Sequence, residues 1–378
     1  MRTNRLKIMT ILGTRPEIIR LARVMNALDQ HADHVIVHTG QNYDYELNQI
    51  FFDDLEIRKP DHFLGVDTSS LGNVLGGTLI ESEKVLRSEK PDAVVILGDT
   101  NSALAGIMAR RLKIPLYHME AGNRCFDMNV PEETNRRIID HISDFNLVYT
   151  EHARRHLLAE GFPHRRIYVT GSPMREVLEH YADKIDASNA LADLGLKPQQ
   201  YLLVSMHREE NVDNPVQLSN LLAGLSQLAD EHGFPVIVST HPRTKKRLDE
   251  GNLLDTHDQV RFMKPFGFCD YNRLQKDAFC VISDSGTISE ESSLLGFPAV
   301  TIRNAIERPE ALDTGSIVIT GTDPGRIVDC VRLVTTDTAG FPPVPADYSI
   351  ANCSQRVVRL VLGTANLTHR WMGIETQA

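Results

Sequence analysis

Short runs of apolar residues recur along the chain, each followed by a turn residue and a segment with helical periodicity. In the first half these runs are KIMTILG, HVIVHTG, DAVVILGD, IPLYHMEAG, FNLVYTE and RIYVTGS. In the second half they are YLLVSMH, FPVIVSTH, VRFMKPF, AFCVISDS, FPAVTI and SIVITG. Strands that are apolar on both faces and alternate with amphipathic helices are typical of parallel sheets covered by helices. The pattern predicts an α/β protein with two Rossmann-like parallel sheets.

The two series of strands are separated by residues 174–198, which carry no strand signal. We therefore predict a domain boundary near residue 173, with domains over 1–173 and 174–378. The segment NCSQRVVRLVLG predicts a final helix, which we expect to pack back on the first domain. Residues 364–378, beyond that segment, are expected to be loosely held.

Composition narrows the class of protein. The net charge of −10 argues against a nucleic-acid partner bound through an overall basic surface. The five cysteines are scattered and lack CxxC spacing, which favours reduced thiols in a cytoplasmic protein. No apolar run approaches the ~20 residues of a membrane span. Neither GxGxxG nor GxxxxGK[ST] occurs, so the sequence does not indicate a dinucleotide site or a P-loop.

Charged residues follow several predicted strands of the first domain. In GTRPE, Gly13 permits a tight turn, and Arg15 either faces a site at the sheet edge or is solvated. Asp99 in GDTNS either caps the next helix or faces the same edge. Glu120 ends the strand in IPLYHMEAG, and Glu132 lies in the acidic first turn of a helix that Pro131 opens. Acids at strand ends are where open α/β sheets place their chemistry.

The second domain carries a different set of groups. His207 and Arg208 end its first predicted strand. In SDSGTISEE, residues 285–287 (Ser285, Gly286 and Thr287) precede a helix whose free N–H groups and dipole favour a pyrophosphate. Glu291, about one turn further on, suits ribose hydroxyls, and Arg308 is a candidate phosphate clamp. An anion-binding half and an acid-rich half together suit a nucleoside-diphosphate sugar.

The motifs ILGTRPEIIRLA, ILGDTNS, HMEAGNR, PEETNR, MHREEN, ISDSGTISEE and ERPEA occur in this order. In this respect the chain resembles the non-hydrolysing UDP-N-acetylglucosamine 2-epimerase family over about residues 7–335. The resemblance implies the glycosyltransferase-B arrangement of two Rossmann-like domains with an interdomain cleft. It also implies a homodimer that inverts C2 of a UDP-2-acetamido sugar without NAD or a metal.

The resemblance also assigns roles to residues. By alignment of motifs, the catalytic groups of the family fall on Asp99, Glu120, Glu132 and His207. The UDP contacts fall on Arg15, Arg20, Ser285, Gly286, Glu291 and Arg308, with arginine at position 20 where lysine is usual. Thr287 replaces the second glycine of a usual pair, and the loop NRCFDMNV is short. Loop residues of the allosteric site found in some relatives are not matched, so that regulation is not predicted.

A narrower resemblance rests on HTGQNYDYELNQIFFDDLEIRKPD together with EAGNRCFDMNVPEETNR. Both resemble a bacterial branch that converts UDP-2-acetamido-2,6-dideoxy-L-talose to UDP-N-acetyl-L-fucosamine for capsule or O-antigen synthesis. The alternatives are a UDP-GlcNAc/UDP-ManNAc 2-epimerase, a UDP-sugar glycosyltransferase, a hydrolysing relative and a sugar-nucleotide sensor.

Carboxylates suit such a reaction only if C2 is first made acidic. Cleavage of the C1–O bond to UDP produces an oxocarbenium-like centre, which lowers the pKa of the C2–H group. The site then needs cations for the departing diphosphate and proton carriers on both faces of C2. We therefore expect Glu120 and Glu132 to be cleft acids, and Glu133 and Asp127 to be ordinary loop charges.

Overall fold

The computed structural model of the protein describes residues 5–40, 45–251, 253, 257–336 and 340–374. They form two compact units. One comprises the described residues up to His180 together with those from Asp347 on, and the other runs from Tyr181 to Ala346. The N-terminal part of the first unit therefore ends at His180, seven residues after the boundary suggested by the sequence. The first unit also includes the C-terminal residues.

The first unit contains a parallel sheet. Its strands are β1 Lys7–Leu12, β2 Asp33–His38, β3 His62–Phe63, β4 Ala93–Leu97, β5 Leu116–Met119, β6 Phe145–Val148 and β7 Ile167–Val169. Among the described residues their order is β3-β2-β1-β4-β5-β6-β7. The two residues of β3 are too few to leave a hydrophobic pattern, and this strand was not predicted.

Helices follow most of these strands. They are α1 Arg15–His31, α2 Tyr45–Asp54, α3 Leu71–Glu89, α4 Gly106–Arg111, α5 Pro131–Ile142, α6 Glu151–Ala159 and α7 Met174–His180. Short 3₁₀ helices span Asn101–Ala105 and His164–Arg166. Proline lies in the first turn of α1 and of α5, and for α5 this was predicted from Pro131.

The second unit repeats the design. Its strands are β8 Leu202–Met206, β9 Val236–Thr240, β10 Val260–Met263, β11 Cys280–Ser283, β12 Ala299–Thr301 and β13 Val318–Ile319. They pair in parallel in the order β10-β9-β8-β11-β12-β13 within the part of the chain that is described. Its helices are α8 Ala182–Asp186, α9 Ala190–Asp193, α10 Glu209–Val212, α11 Pro215–His232, α12 Pro242–Gly251, α13 Phe268–Asp277, α14 Ile288–Leu295, α15 Glu310–Asp313 and α16 Pro324–Thr336. The prediction of two Rossmann-like parallel sheets is confirmed.

The last helix, α17, spans Cys353–Met372 and belongs to the first unit. The expectation of a loosely held C-terminus is wrong for Thr364 to Met372. Thr364 Oγ1 lies 2.6 Å from the hydroxyl of Tyr117, and the ring of Trp371 contacts that of Phe145. Residues 375–378 lie outside the described residues. No described helix is both long and apolar enough to cross a membrane.

Both sheets reverse their strand order at one point. In the first unit β1 pairs with β2 on one side and with β4 on the other. In the second unit β8 pairs with β9 and with β11. Loops at the carboxyl ends of strands beside such a reversal form the ligand-binding crevice of open α/β sheets. Four of these loops begin at Gly13, Gly98, His207 and Asp284, and they carry half of the predicted site residues.

Candidate functional site

The turn after β1 requires glycine because the chain passes close to its neighbours. A Cβ atom at Gly13 would lie 2.2 Å from Thr39 Oγ1, a distance that real atoms do not allow. Arg15 is the first residue of α1, and its guanidinium carbon lies 5.5 Å from the ring centroid of Phe51. Arg15 is half-buried, and its place at the start of α1 puts it directly after the turn that follows β1.

Glu17 is a buried acid in the same turn to which the sequence analysis gave no role. Its carboxylate accepts hydrogen bonds from the Gly13 amide at 3.1 Å and the Thr14 hydroxyl at 2.8 Å. It also accepts from the hydroxyls of Thr100 and Ser102, in the loop after β4. Burial raises the pKa of Glu17 to about 7, although these hydrogen bonds lower it. Glu17 therefore joins the loop that carries Arg15 to the loop that carries Asp99.

Asp99 does not cap a helix, which was the alternative left open by the sequence. The short helix that follows starts at Asn101, and its N-cap residue is Thr100. Asp99 Oδ2 instead accepts a hydrogen bond of 2.7 Å from Nε of Arg136, on α5. The Asp99 carbonyl oxygen accepts a second bond from Nδ2 of Asn135 at 2.9 Å. These bonds hold the start of α5 against the loop after β4.

Glu133 is not an ordinary loop charge, so that expectation is wrong. Its side chain is fully buried, and it accepts hydrogen bonds from Arg136 at 2.8 Å and Arg137 at 2.9 Å. Burial alone would raise its pKa, but the bonds from the Cys125 amide and Arg136 lower it to about 2. An acid at i and arginines at i+3 and i+4 are a sequence signal that could have identified this anchor.

Glu120 has a backbone conformation that is unusual for a residue with a side chain. Its φ of 66° lies in the left-handed region, which costs about 1–2 kcal/mol for a non-glycine residue. The carboxylate is buried and forms an ion pair with Arg20, on α1, while Nδ2 of Asn123 lies 3.4 Å away. Strained residues of this kind cluster at functional sites. Arg20, expected among the UDP contacts, is thus placed against a candidate catalytic acid.

Glu132 and Asp127 have contrasting surroundings. Glu132 is the second residue of α5 and is half-buried. Asp127 lies in the preceding loop, where Oδ1 accepts bonds from the amide and side chain of Asn129. Asp127 therefore stabilises a turn of its own loop, whereas Glu132 lies on the helix that Arg136 joins to Asp99.

A second buried network lies behind these acids. His118, on β5, contacts Asp140 through Nδ1 at 2.9 Å and the Gly98 carbonyl oxygen through Nε2 at 2.8 Å. Burial alone would raise the pKa of Asp140, but the hydrogen bond and charge of His118 hold it below its ordinary value. The network couples the backbone just before Asp99 to the strand that ends just before Glu120. Neither His118 nor Asp140 was predicted from the sequence to be a site residue.

In the second unit the predicted His207 and Arg208 adjoin a carboxylate that was not assigned a role. Asp284 follows β11 and is completely buried. It accepts hydrogen bonds from the backbone amides of His207, at 3.0 Å, and Arg208, at 3.0 Å. Burial would raise the pKa of Asp284, but the charge and hydrogen bond of His207 and the Arg208 amide hold it well below its usual range. Asp284 is therefore ionised and acts only as an acceptor.

The turn before α14 gathers cationic groups around a residue without a side chain. A Cβ atom at Gly286 would lie 3.0 Å from a carboxylate oxygen of Glu307, 3.7 Å from a terminal nitrogen of Arg208 and 3.9 Å from one of Arg308. Arg308 donates to the Gly286 carbonyl oxygen and, at 2.8 Å, to the buried Glu290. The hydroxyls of Ser285 and Thr287 lie 2.9 Å apart in this turn. Two guanidinium groups, two hydroxyls and a helix N-terminus therefore converge there.

Glu291 lies one turn into α14 and is buried. Its Oε2 accepts a hydrogen bond of 2.7 Å from Nε2 of Gln275, on α13. This bond joins α14 to α13 through the side chain of Glu291. Among the described residues, no group of three or more histidine, cysteine, aspartate or glutamate side chains is arranged to hold a metal ion.

Two Rossmann-like units, one with grouped acids and the other with grouped cations, define the class of enzymes that act on nucleotide sugars. The model of the family described as UDP-N-acetylglucosamine 2-epimerase matches residues 26–362. The chain belongs to this family. The prediction of an isomerase, a C2 epimerase of UDP-2-acetamido sugars, is therefore confirmed.

Solved structures of similar proteins agree over nearly the whole chain. A UDP-N-acetylglucosamine 2-epimerase from Rickettsia bellii is 47% identical, with a TM-score of 0.91, covering 98% of this chain and 100% of that one. A UDP-GlcNAc 2-epimerase from Methanocaldococcus jannaschii, in complex with UDP-GlcNAc and UDP, is 35% identical with a TM-score of 0.89. The coverage there is 94% of this chain and 99% of the other.

One relative is named for a different sugar. The UDP-2,3-diacetamido-2,3-dideoxy-D-glucuronate 2-epimerase of Pseudomonas aeruginosa is 35% identical over 333 residues, which are 86% of this chain and 92% of that protein. Relatives of similar identity thus carry names that specify different substituents on the sugar. Membership of the family therefore leaves the identity of the sugar open.

Proposed function

We propose that this protein inverts C2 of a UDP-2-acetamido sugar by eliminating UDP and adding it back. The observation that carries the proposal is the grouping of Asp99, Glu120 and Glu132 on the loops and helix that follow neighbouring strands of one parallel sheet. A reaction that removes a proton from one face of a carbon and returns it to the other needs acids and bases in this number. A glycosyl transfer alone does not.

The proposed elimination and re-addition of UDP need no reactant besides the UDP-sugar and the acids of the protein. A carboxylate of the first unit accepts the C2 proton, and the C1–O bond breaks with its electron pair moving to the UDP oxygen. A C1=C2 double bond results. Return of a proton to the opposite face of C2 and re-addition of the UDP oxygen at C1 then give the epimer. No NAD or metal ion takes part in the proposed route.

The proposal assigns the UDP to the second unit. Arg208, Arg308 and the N-terminus of α14, with Ser285, Gly286 and Thr287, supply positive charge and donors for the diphosphate. Glu291 is assigned to the ribose hydroxyls. Arg15, in the first unit, is a further proposed UDP contact, and His207 is proposed to assist departure of the diphosphate. Positive charge directed at the leaving group stabilises the charge that develops as the C1–O bond breaks.

Two sugars are candidates. The motifs at residues 38–61 and 120–136 favour UDP-2-acetamido-2,6-dideoxy-L-talose, with UDP-N-acetyl-L-fucosamine as the product. The names of the relatives from R. bellii and M. jannaschii favour UDP-GlcNAc and its C2 epimer UDP-ManNAc. Either product is a building block of the kind used for a capsule or O-antigen of a bacterial surface. The 6-deoxy-L-sugar is the substrate that we propose, and UDP-GlcNAc is the second candidate.

One experiment tests the reaction and the substrate together. Each UDP-sugar is incubated alone with the protein in heavy water, and the products are followed by NMR. We expect a C2 epimer that carries deuterium at C2, because the abstracted proton exchanges with solvent. No reaction until an acceptor is added would identify a glycosyltransferase, and release of UDP with free sugar would identify a hydrolase. The faster substrate decides between the two sugars.

We also propose that the enzyme is a cytoplasmic homodimer. The five cysteines form no disulfide within the described residues, which fits a reducing compartment. The first unit exposes apolar side chains, Leu71 and Ile80 on α3 and Ile138 on α5, that a second copy of the chain would cover. Light scattering should give the mass of a dimer, and Ile80→Glu should lower it to that of one chain. Leu333→Glu, an exposed position in the second unit, is the control and should leave the dimer intact.

A further inference from the structure

The neighbourhood of His207 contains a buried acid for which the proposed function has no role so far. Asp284 and His207 follow adjacent parallel strands, since Ser283 of β11 is paired with Ser205 of β8. The Asp284 amide donates to the Ser205 carbonyl oxygen at 3.1 Å, which continues the sheet for one more residue. The two side chains therefore start from rigid and neighbouring positions, which is the arrangement that a precise contact requires.

The Asp284 carboxylate holds several parts of the His207 loop at once. Besides the backbone amides of His207 and Arg208, it accepts a bond of 3.1 Å from Nδ2 of Asn211. The backbone carbonyl oxygen of Asp284 accepts from Nε of Arg208 at 3.0 Å. One residue thus contacts the backbone, the guanidinium group and the amide of the same short segment.

The imidazole ring of His207 also contacts the carboxylate of Asp284. Nδ1 lies 3.1 Å from Oδ1 of Asp284. Because an ionised carboxylate can only accept a hydrogen bond, a proton on Nδ1 makes this contact favourable, whereas a bare Nδ1 would face the carboxylate with its lone pair. In the neutral ring the other nitrogen, Nε2, then has no proton and is an acceptor. The side chain of His207 is 37% exposed while that of Asp284 is fully buried, so the ring is held from its buried side.

We propose that Asp284 is a positioning residue that fixes the Nδ1–H tautomer and the orientation of His207, so that Nε2 is the atom offered to the substrate. Under the proposed function, Nε2 takes up a proton and, once protonated, donates it or a hydrogen bond to the departing diphosphate. The proposal rests on that function only for what Nε2 does. The tautomer itself follows from the contact between the two side chains. A carboxylate that orients a histidine in this way is a recurring device for making one ring nitrogen available.

An NMR experiment measures the tautomer of His207 directly. The full-length protein is labelled with ¹⁵N-histidine, and two-bond ¹H–¹⁵N correlations report which ring nitrogen of His207 carries the proton when the ring is neutral. The His207 signals are assigned by their loss in His207→Gln. We expect a protonated Nδ1 and a bare Nε2 in the unaltered protein. A protonated Nε2 would overturn the proposal without the need for any variant, and would leave the epimerase function untouched.

Variants separate positioning from structural support. In Asp284→Asn the amide oxygen can still accept from the backbone amides, but the NH₂ group then faces Nδ1, so the tautomer should switch. We expect turnover to fall roughly 10- to 100-fold, at or below the low end of the 10²- to 10⁴-fold contribution of a positioned acid or base itself, while UDP affinity changes less than about fivefold. Asn211→Ala removes a donor from the same carboxylate without touching the imidazole, and should keep the original tautomer.

A double variant covers the case in which Asp284→Asn is only partly folded. If Asp284 acts through the imidazole, Asp284→Asn should cost little turnover once His207 is glutamine. If instead the two losses multiply in the double variant, Asp284 acts through the fold and the proposal is wrong. Should no variant or substrate give epimerisation, the tautomer measurement still decides the positioning proposal, while the proposed function fails separately.

Discussion

Arg20, on the first helix, is ion-paired with Glu120, one hundred residues later, and both side chains are buried. Removing one partner of a buried pair leaves an uncompensated charge and typically costs about 3–5 kcal/mol. We therefore expect Arg20→Met to lower the free energy of unfolding by about 3 kcal/mol and to abolish most turnover. Urea denaturation and an epimerase assay measure the two effects.

A double variant shows whether the unpaired charge is the cause. Arg20→Met combined with Glu120→Gln has no buried charge at this position and should be more stable than Arg20→Met alone. Arg20→Lys keeps the charge and should retain most of the stability. Arg23→Met, on the same helix, is the matched control and should cost less than about 1 kcal/mol. Equal stability of Arg20→Met and the unaltered protein would show that the pair contributes nothing.

Glu120 and Glu132 are expected to move the C2 proton. Glu120→Gln and Glu132→Gln keep the size of each side chain but cannot accept a proton. Each should lower turnover by roughly 10² to 10⁴, the usual contribution of a positioned acid or base, while UDP binding is retained. Deuterium incorporation at C2, followed by NMR in heavy water, should fall in parallel.

Asp127→Asn is the matched control for these variants. Asp127 lies in the loop between the two acids, and the hydrogen bonds of its carboxylate described above stay within its own turn. It should keep turnover within about threefold of the unaltered protein. Epimer formed with C2 hydrogen fully retained would defeat the mechanism, because it would point to oxidation and reduction or to ring opening.

The sequence predicted the strands well because parallel strands buried on both faces leave continuous apolar runs. All twelve predicted runs contain a strand. The strand that was not predicted is β3, whose two residues are too few to form a hydrophobic pattern. The end of the chain was misjudged because Thr364 and Trp371 are held by Tyr117 and Phe145. Those contacts span more than 200 residues, and local periodicity does not reveal them.

The supporting residues of the site were missed for a related reason. Asp99 and Glu120 were predicted because each follows a strand, and position in the chain is enough for that prediction. Glu17, Arg136 and Asp284 act through side chains that reach a different loop, and their partners become visible only in the folded chain. The pairings of Glu133 with Arg136 and Arg137 have spacings of three and four residues, which could have indicated them from the sequence.

Arg308 is expected to bind the diphosphate. Arg308→Ala should weaken UDP binding by about 2 kcal/mol or more, roughly 30-fold, because charge-assisted bonds to phosphate are among the strongest in proteins. Calorimetry with UDP measures the effect. Arg332→Ala is the control, since Arg332 is an exposed residue of α16 that pairs with Glu231. Unchanged UDP affinity in Arg308→Ala would remove this residue from the phosphate site.

Glu17 should make the stability of the protein depend on pH. Its pKa is raised by burial from 4.5 to about 7, so the folded state binds a proton between these values that the unfolded state has lost. Stability must therefore fall as pH rises from about 4.5 to 7, and the contribution of Glu17 is constant above that range. A pKa shift of this size corresponds to a change of roughly 3 kcal/mol in the free energy of unfolding.

Glu17→Gln removes this component while keeping the shape of the side chain. Other groups titrate in both proteins, so the informative quantity is the difference in unfolding free energy between the variant and the unaltered protein. We expect this difference to move in favour of the variant by about 3 kcal/mol between pH 4.5 and 8, because only the unaltered protein buries a new charge. Urea denaturation at several pH values measures it.

Ser88→Ala, a neutral change on α3, should give a difference that does not vary with pH. A flat difference for Glu17→Gln as well would mean that the Glu17 carboxylate is already ionised at pH 4.5, held by its bonds to Ser102 and Thr14 despite its burial.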